Sequence, residues 1–317
     1  MTRTSAPSPS LLTAAELSRL GGLMFVARRL VEGLYAGRHR SPRRGHSTEF
    51  HDFRPYLPGD EPRRVDWAVF GRTDRLFVRR FRHEAELAVH LLIDRSASMD
   101  FTGAGDGQGD DRAAVSKWTY ARQIAAALSL LAVRQADRVG LAAFDERCKP
   151  LAPLAGGWAH FQQLLAALES AEIARQTDPV AALHQAHAMW FGRRRQRGLL
   201  VLISDLLDEP AAWLEGLQPF RHSRFDVMVL QVLTPGELDL AGVGSARLID
   251  AETGAAARTH APRIRDRYRR EMQRHLDTLH RGLLARGIDH QLALTSQPPL
   301  TVLQQFVTRR GREAPHR

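Results

Sequence analysis

From about residue 85 onward, short continuous apolar runs alternate with stretches whose apolar residues recur every three or four positions. No other feature restricts the fold as much. Leu87 to Ile93, Val139 to Phe144, Leu199 to Ile203, Val227 to Leu233 and Ile288 to Leu294 are such runs, and runs of this kind suit strands covered on both faces of a mostly parallel sheet. Between them the spacing predicts helices: Ala121, Ile124, Ala125, Leu128, Leu131 and Ala132 on one face, then Phe161 to Leu168, Val180 to Trp190 and Trp213 to Phe220. Ile264, Tyr268, Met272, Leu276, Leu279 and Leu283 mark a longer helix whose arginines face water. Strand and helix in alternation give an α/β fold, a doubly wound sheet with helices on both sides. Such sheets bind ligands beyond the carboxyl ends of their strands, at the point where the strand order reverses.

The residues before this region read differently. Residues 1–10, rich in Ser, Thr and Pro, predict a disordered lead-in, and Leu17, Leu20, Met24, Ala27 and Leu30 predict a helical segment over 11–35. Gly37, Pro42, Gly45, Pro55, Pro58, Gly59, Pro62 and Gly71 punctuate residues 36–84. That density of breakers predicts a small, irregular, β-rich segment without helices. The type of fold described above then covers 85–297, and 298–317 form a C-terminal helix and tail.

Composition removes several function classes. The single cysteine, Cys148, excludes an intrachain disulfide and any Cys-x-x-Cys site. Of 45 basic residues only Lys117 and Lys149 are lysines, and neither stands in a Gly-Lys-Ser/Thr loop, so the chain is not a P-loop ATPase. No Gly-x-Ser-x-Gly elbow is present, and His83-Glu84-Ala85-Glu86-Leu87 lacks the second histidine of a zinc protease helix. The chain is expected not to be an enzyme. The longest apolar stretch near the front, Leu20 to Val26, is far short of a membrane span of about 18 residues. With no secretory signal in the first residues, the expected location is the cytoplasm. Residues 1–84 carry 16 arginines against 9 acids. Their interleaving with Asp52, Asp60, Glu61, Asp66 and Asp74 favours ion pairing over a nucleic-acid stripe. Nucleic-acid binding through this segment and the Arg263 to Arg274 face remains the competing reading.

Chemistry concentrates where the first apolar run ends, at Asp94-Arg95-Ser96-Ala97-Ser98. Three oxygen side chains on alternate residues of a turn converge on one point, and carboxylate with hydroxyl oxygens is the donor set of a hard cation. Asp205 follows the run ending at Ile203, so in a parallel sheet it reaches the same edge, and Thr177 adds a hydroxyl from a loop before a helix.

Asp94-x-Ser96-x-Ser98 with Met99, Thr177 and Asp205 resembles the metal-ion-dependent adhesion site of von Willebrand factor type A domains. The resemblance covers about residues 85–295. It implies that the serines and threonine hold Mg²⁺ or Mn²⁺ directly or through water, that the aspartates act largely through bridging waters, and that a carboxylate of a client protein completes the ion's shell.

A second resemblance is narrower. Gly45 to Phe50, Arg54-Pro55-Tyr56-x-Pro58-Gly59-Asp60, Arg63-Arg64-Val65-Asp66-Trp67, Arg72-Thr73 and Val78 to Glu84 resemble the signature of the domain-of-unknown-function 58 family, whose members carry it just before a type A domain. Many members have membrane helices upstream; this chain resembles the short soluble form. The resemblance implies a MoxR-type AAA+ ATPase as partner and a chaperone-like task of maturing or remodelling protein complexes. The signature's own residues, Glu49, Arg54, Asp60, Arg63, Asp66 and Arg72, are expected to form a partly buried ion-pair network anchored by Tyr56 and Trp67.

Overall fold

The computed structural model describes residues 50–56, 65–81, 87–103, 115–174, 176–191, 198–222, 225–240, 244–252, 254–299 and 301–305. The expected lead-in and the 11–35 helix lie outside these, as do Glu49, Asp60 and Arg63. The described residues fall in two units, one within Arg38–Glu86 and one from Leu87 onward.

In the first unit, β1 (Phe50–Pro55) pairs antiparallel with β2 (Phe77–Phe81), with Arg54 opposite Val78 and an irregularity between Phe50 and Asp52. Between them runs a helix that the density of breakers did not predict, α1 (Trp67–Thr73). Asp66 starts it: one carboxylate oxygen, Oδ1, accepts from the backbone N–H groups of Ala68 and Val69, satisfying two donors that a helix start leaves open. Gly71 sits inside it at a tolerable cost. Trp67 is 62% exposed, packed edge-on to Phe70, so it is not the apolar anchor expected of it.

The second unit is built on a six-stranded sheet. Its strands are β3 (Ala88–Asp94), β4 (Arg138–Phe144), β5 (Cys148–Ala155), β6 (Gly198–Ser204), β7 (Phe225–Leu233) and β10 (Asp289–Leu294). Their spatial order is β10-β7-β6-β3-β4-β5, with every pairing parallel except β4 with β5. The alternating side chains of each strand feed two separate cores. Val89, Leu91, Ile93, Val201, Ile203, Met228 and Leu230 pack on one side, with residues of α2 (Lys117–Arg134) and α3 (Trp158–Ser170). Leu92, Phe144, Leu200, Leu202, Val227 and Val229 pack on the other. That second layer consists of α4 (Pro179–Phe191), α5 (Pro210–Gly216), α6 (Gln218–His222) and α8 (Ala261–Leu284). The stretch Trp213 to Phe220, read as one helix, is split between α5 and α6 at Leu217.

Two elements break the strict alternation. β5 is an antiparallel edge strand, and its Pro150 and Pro153 are tolerated because an edge strand need not donate on its outer side. After β7 comes the short helix α7 (Pro235–Asp239), then a hairpin of β8 (Ser245–Ile249) and β9 (Ala256–His260) that leads into α8. Thr234 and Glu237 form a reciprocal capping box at the start of α7. Residues 301–305 are helical.

Candidate functional site

The strand order reverses between β3 and β6, which lie side by side at the centre of the sheet with Ile93 opposite Ile203. Asp94 ends β3 and Asp205 follows β6, so the parallel pairing brings both carboxylates to one edge at the reversal.

Past Asp94 the backbone N–H of Arg95 still bonds to Phe144 O, and the chain then turns into a short 3-10 segment, Ala97–Asp100. The Asp94 carboxylate holds this turn together. Its Oδ1 accepts from the Ser96 backbone N–H at 2.9 Å, and its Oδ2 accepts from the Ser204 hydroxyl at 2.6 Å. Ser98 Oγ donates to Asp205 Oδ2 at 2.7 Å, and Ser96 Oγ lies 3.0 Å from Ser98 Oγ. Four of the five expected residues thus share one hydrogen-bonded cluster. Asp205 is also fixed through its backbone, whose carbonyl accepts from Gln231 Nε2 at 2.8 Å.

Thr177 approaches from another loop. That loop docks on the motif through Ala174 N–H to Arg95 O at 2.7 Å and Arg95 Nη1 to Glu172 O at 3.2 Å. The Thr177 backbone N–H donates to Glu252 Oε2 on the β8–β9 turn at 3.2 Å, while its hydroxyl is buried and makes no hydrogen bond. Beside it lies a polar cleft of about 470 Å³ lined by Glu146, Arg147, Gln176, Asp178, Gln185 and Glu252.

Three further residues belong to the site. Ser204 reads in the sequence as the tail of an apolar run, with no signal of its own. Lys117, the first residue of α2, is completely buried, with Nζ 2.7 Å from Asp205 Oδ2 and a second bond to Glu237 Oε1. Glu237 is held in turn, its Oε2 accepting from Thr234 N–H at 2.8 Å and from Thr234 Oγ1 at 3.0 Å. Burial pulls the Lys117 ammonium down, but the Asp205 and Glu237 carboxylates outweigh it and hold the group above the ordinary lysine value. The scarcity of lysine was the available signal for Lys117: in a chain with arginine at nearly every other basic position, one of two lysines stands here.

The surrounding charge is negative. Burial, then the Asp205 charge, pushes the Asp94 carboxyl up to about 7 against the opposing bonds from Ser204 and Ser96. Asp208 is raised by burial and by the charges of Asp205, Asp178 and Asp250. Glu252 is raised by burial and by Asp208, Asp205 and Asp250, with the Thr177 N–H opposing. Asp145, by contrast, is not a free acid. Burial pushes it up, yet the Arg147 N–H and the Arg95 guanidinium that binds it hold it below the usual carboxylate range.

This donor set fits a small divalent cation. Two oxygens 3.0 Å apart, as in Ser96 and Ser98, are spaced like neighbouring ligands of an octahedral ion with metal–oxygen bonds of about 2.0–2.1 Å. An unsatisfied buried hydroxyl, such as that of Thr177, is costly without a partner. Among the described residues no three Asp, Glu, His or Cys side chains converge as a metal cluster.

Among solved structures, BatB of Bacteroides thetaiotaomicron is 15% identical with a TM-score of 0.47, over 72% of this chain and 100% of that one. A von Willebrand factor type A protein of Catenulispora acidiphila is also 15% identical, with a TM-score of 0.38, over 71% of this chain and 42% of that one. An uncharacterized protein of Mycobacterium bovis is 29% identical over 318 residues, which is 99% of this chain and 94% of the relative. An uncharacterized protein of Mycobacterium tuberculosis matches to the same extent. The family described as "Protein of unknown function DUF58" matches residues 52–278, and the chain belongs to that family.

Proposed function

We propose that this chain is a non-enzymatic protein-binding adaptor, that its binding depends on Mg²⁺ or Mn²⁺, and that it works with a MoxR-type AAA+ ATPase in maturing or remodelling other protein complexes. One observation carries the reading: hydroxyl and carboxylate oxygens of Ser96, Ser98 and Asp205 are gathered at the carboxyl ends of two central strands, where the strand order reverses. When bound, the ion supplies a Lewis-acid position for a carboxylate of the client. Asp94 orients the turn by bonding Ser96 N–H, Ser204 locks Asp94, and the loop of Thr177 is tied to the turn through Arg95. The absence of a Walker A lysine assigns nucleotide chemistry to the ATPase. The hydroxyls and carboxylates that end the strands hold one another in place, Ser98 on Asp205 and Ser204 on Asp94, and a set of oxygens fixed in this way suits ion binding.

The test is capture of partners from the native lysate on the tagged chain, with Mg²⁺ and with chelator. Recovery of an AAA+ ATPase in the Mg²⁺ lane alone supports the adaptor; recovery that ignores chelator contradicts the metal dependence.

A second reading keeps one specific observation. Arg263, Arg267, Arg270 and Arg274 are exposed on α8 at spacings of three and four, forming one basic stripe. Nucleic-acid binding there predicts affinity that falls steeply with salt and ignores divalent ions. The adaptor predicts the opposite dependence.

A further inference from the structure

Lys117 is a chemical exception in this chain. Arginine supplies 43 of the 45 basic residues, yet the cation that lies fully buried beside these carboxylates is a lysine. The two side chains are not interchangeable, because an ammonium is a compact point charge whereas a guanidinium is a broad planar fork. Here a point charge is needed: Nζ bonds one oxygen of Asp205 and one of Glu237, reached from the first turn of a helix. A buried ammonium persists only where it is paired.

The oxygen it pairs with matters most. Asp205 Oδ2 accepts from Ser98 Oγ and from Lys117 Nζ, each at 2.7 Å. A fixed positive charge therefore lies within two hydrogen-bond lengths of the serine pair that suits an ion. Glu237 is placed to hold that charge from the other side, and its second oxygen is locked by the capping box at the start of α7.

We infer that Lys117 is a tethered cation that sets the divalent-ion affinity of this site, its ammonium and the ion sharing the Asp205 carboxylate while Glu237 holds the ammonium as the ion is taken up. This rests on the reading of the site as a divalent-ion site. Two cations on one carboxylate repel each other, and in a buried setting that repulsion is weakly screened. Lys117 thus lowers affinity for the ion and keeps Asp205 in place in its absence. Glu237 acts in the opposite sense.

The experiment uses Mg²⁺ and Mn²⁺ alone. Calorimetric titrations compare the full chain with Lys117→Met and Glu237→Gln, each checked for folding by near-UV circular dichroism. Because the chain has two lysines, lysine labelled with ¹³C at Cε gives two side-chain resonances, from buried Lys117 and from Lys149, whose side chain is 56% exposed. The expected result is affinity at least about tenfold tighter in Lys117→Met and at least about tenfold weaker in Glu237→Gln. The Lys117 resonance shifts with Mg²⁺ saturation and that of Lys149 stays. Binding by Lys117→Met alone also supports the inference. Should Lys117→Met not fold, Glu237→Gln and the resonances of the unaltered chain decide. Ion binding that leaves the Lys117 resonance unmoved and the variants' affinities unchanged, or that weakens in a folded Lys117→Met, overturns the role of Lys117 and leaves the ion site standing. No binding by the unaltered chain or by any folded variant overturns both.

Discussion

The Ser204 hydroxyl donates to Asp94 Oδ2 at 2.6 Å, so the last residue of β6 is bolted to the last residue of β3. Both groups are buried, and the bond fixes the edge from which Ser96, Ser98 and Asp205 project. Ionised Asp94 is disfavoured there, since burial and the Asp205 charge raise it to about 7.

Asp94→Asn keeps the shape and removes the charge: its Oδ1 still accepts from Ser96 N–H, and its Nδ2 donates to Ser204 Oγ where the carboxylate accepted. In chelator its melting temperature is expected to equal or exceed that of the unaltered chain. Asp94→Ala, which strands Ser96 N–H and the Ser204 hydroxyl, is expected to cost about 1–3 kcal/mol. Urea unfolding of the three proteins checks the order, and a less stable Asn variant would contradict it.

A relay of imidazoles sets a pH limit on stability. Gln231 Nε2 donates to Asp205 O, so Gln231 Oε1 faces His290 and accepts from its Nε2 at 3.1 Å. His290 Nδ1 is then the acceptor for His280 Nδ1–H at 3.0 Å. Burial, with His280 second, lowers His290 to about 4 from the ordinary 6.5. The folded state therefore binds fewer protons than the unfolded one between these values. Stability is complete above pH 6.5 and falls as the pH drops toward 4, by up to about 3 kcal/mol from this group. His90, lowered to about 4 by burial and then by Arg138, adds a loss of the same sign. Denaturant midpoints across that range check the slope, and His290→Gln should flatten part of it.

Much of this arrangement was readable in advance. β3 is a continuous apolar run closed by Asp94, and a strand buried on both faces leaves no other pattern. Asp205 was predicted at the same edge because parallel neighbours end together. β5 was not legible, since Lys149, Pro150 and Pro153, all exposed, interrupt its apolar residues, and a stretch with two prolines reads as loop. The β8–β9 hairpin, which brings Glu252 to Thr177, is no more legible, since β9 is five residues long and sets two alanines beside Arg258, Thr259 and His260. Lys117 and Glu237 are 120 residues apart, and no local pattern reports such a pairing.

Gly103 holds φ at +73°, and a Cβ there would lie 2.7 Å from Thr234 Cβ. Neither the conformation nor the space suits a side chain. Gly103→Ala is expected to lose about 2 kcal/mol or more and to disturb the α7 cap that holds Glu237. A melting shift of several degrees in the absence of ions is the expected readout.

Two tryptophans should behave oppositely. Trp213 is fully buried, packed edge-on to Phe144 at 6.1 Å, and Trp213→Ala is expected to cost about 3–5 kcal/mol. Trp67 is mostly exposed, and Trp67→Ala is expected to stay within about 0.5 kcal/mol. Equal losses in chemical denaturation would contradict this assignment of the core.

The most direct measurement is a calorimetric titration of Mg²⁺ into the purified chain beside a Ser96→Ala, Ser98→Ala double variant. Those hydroxyls stand 3.0 Å apart and form the heart of the donor set. Saturable binding of one ion per chain, lost in the folded double variant, is the predicted result. The same binding in both proteins, or no binding by the unaltered chain and by Lys117→Met alike, would contradict a divalent-ion site at the ends of β3 and β6.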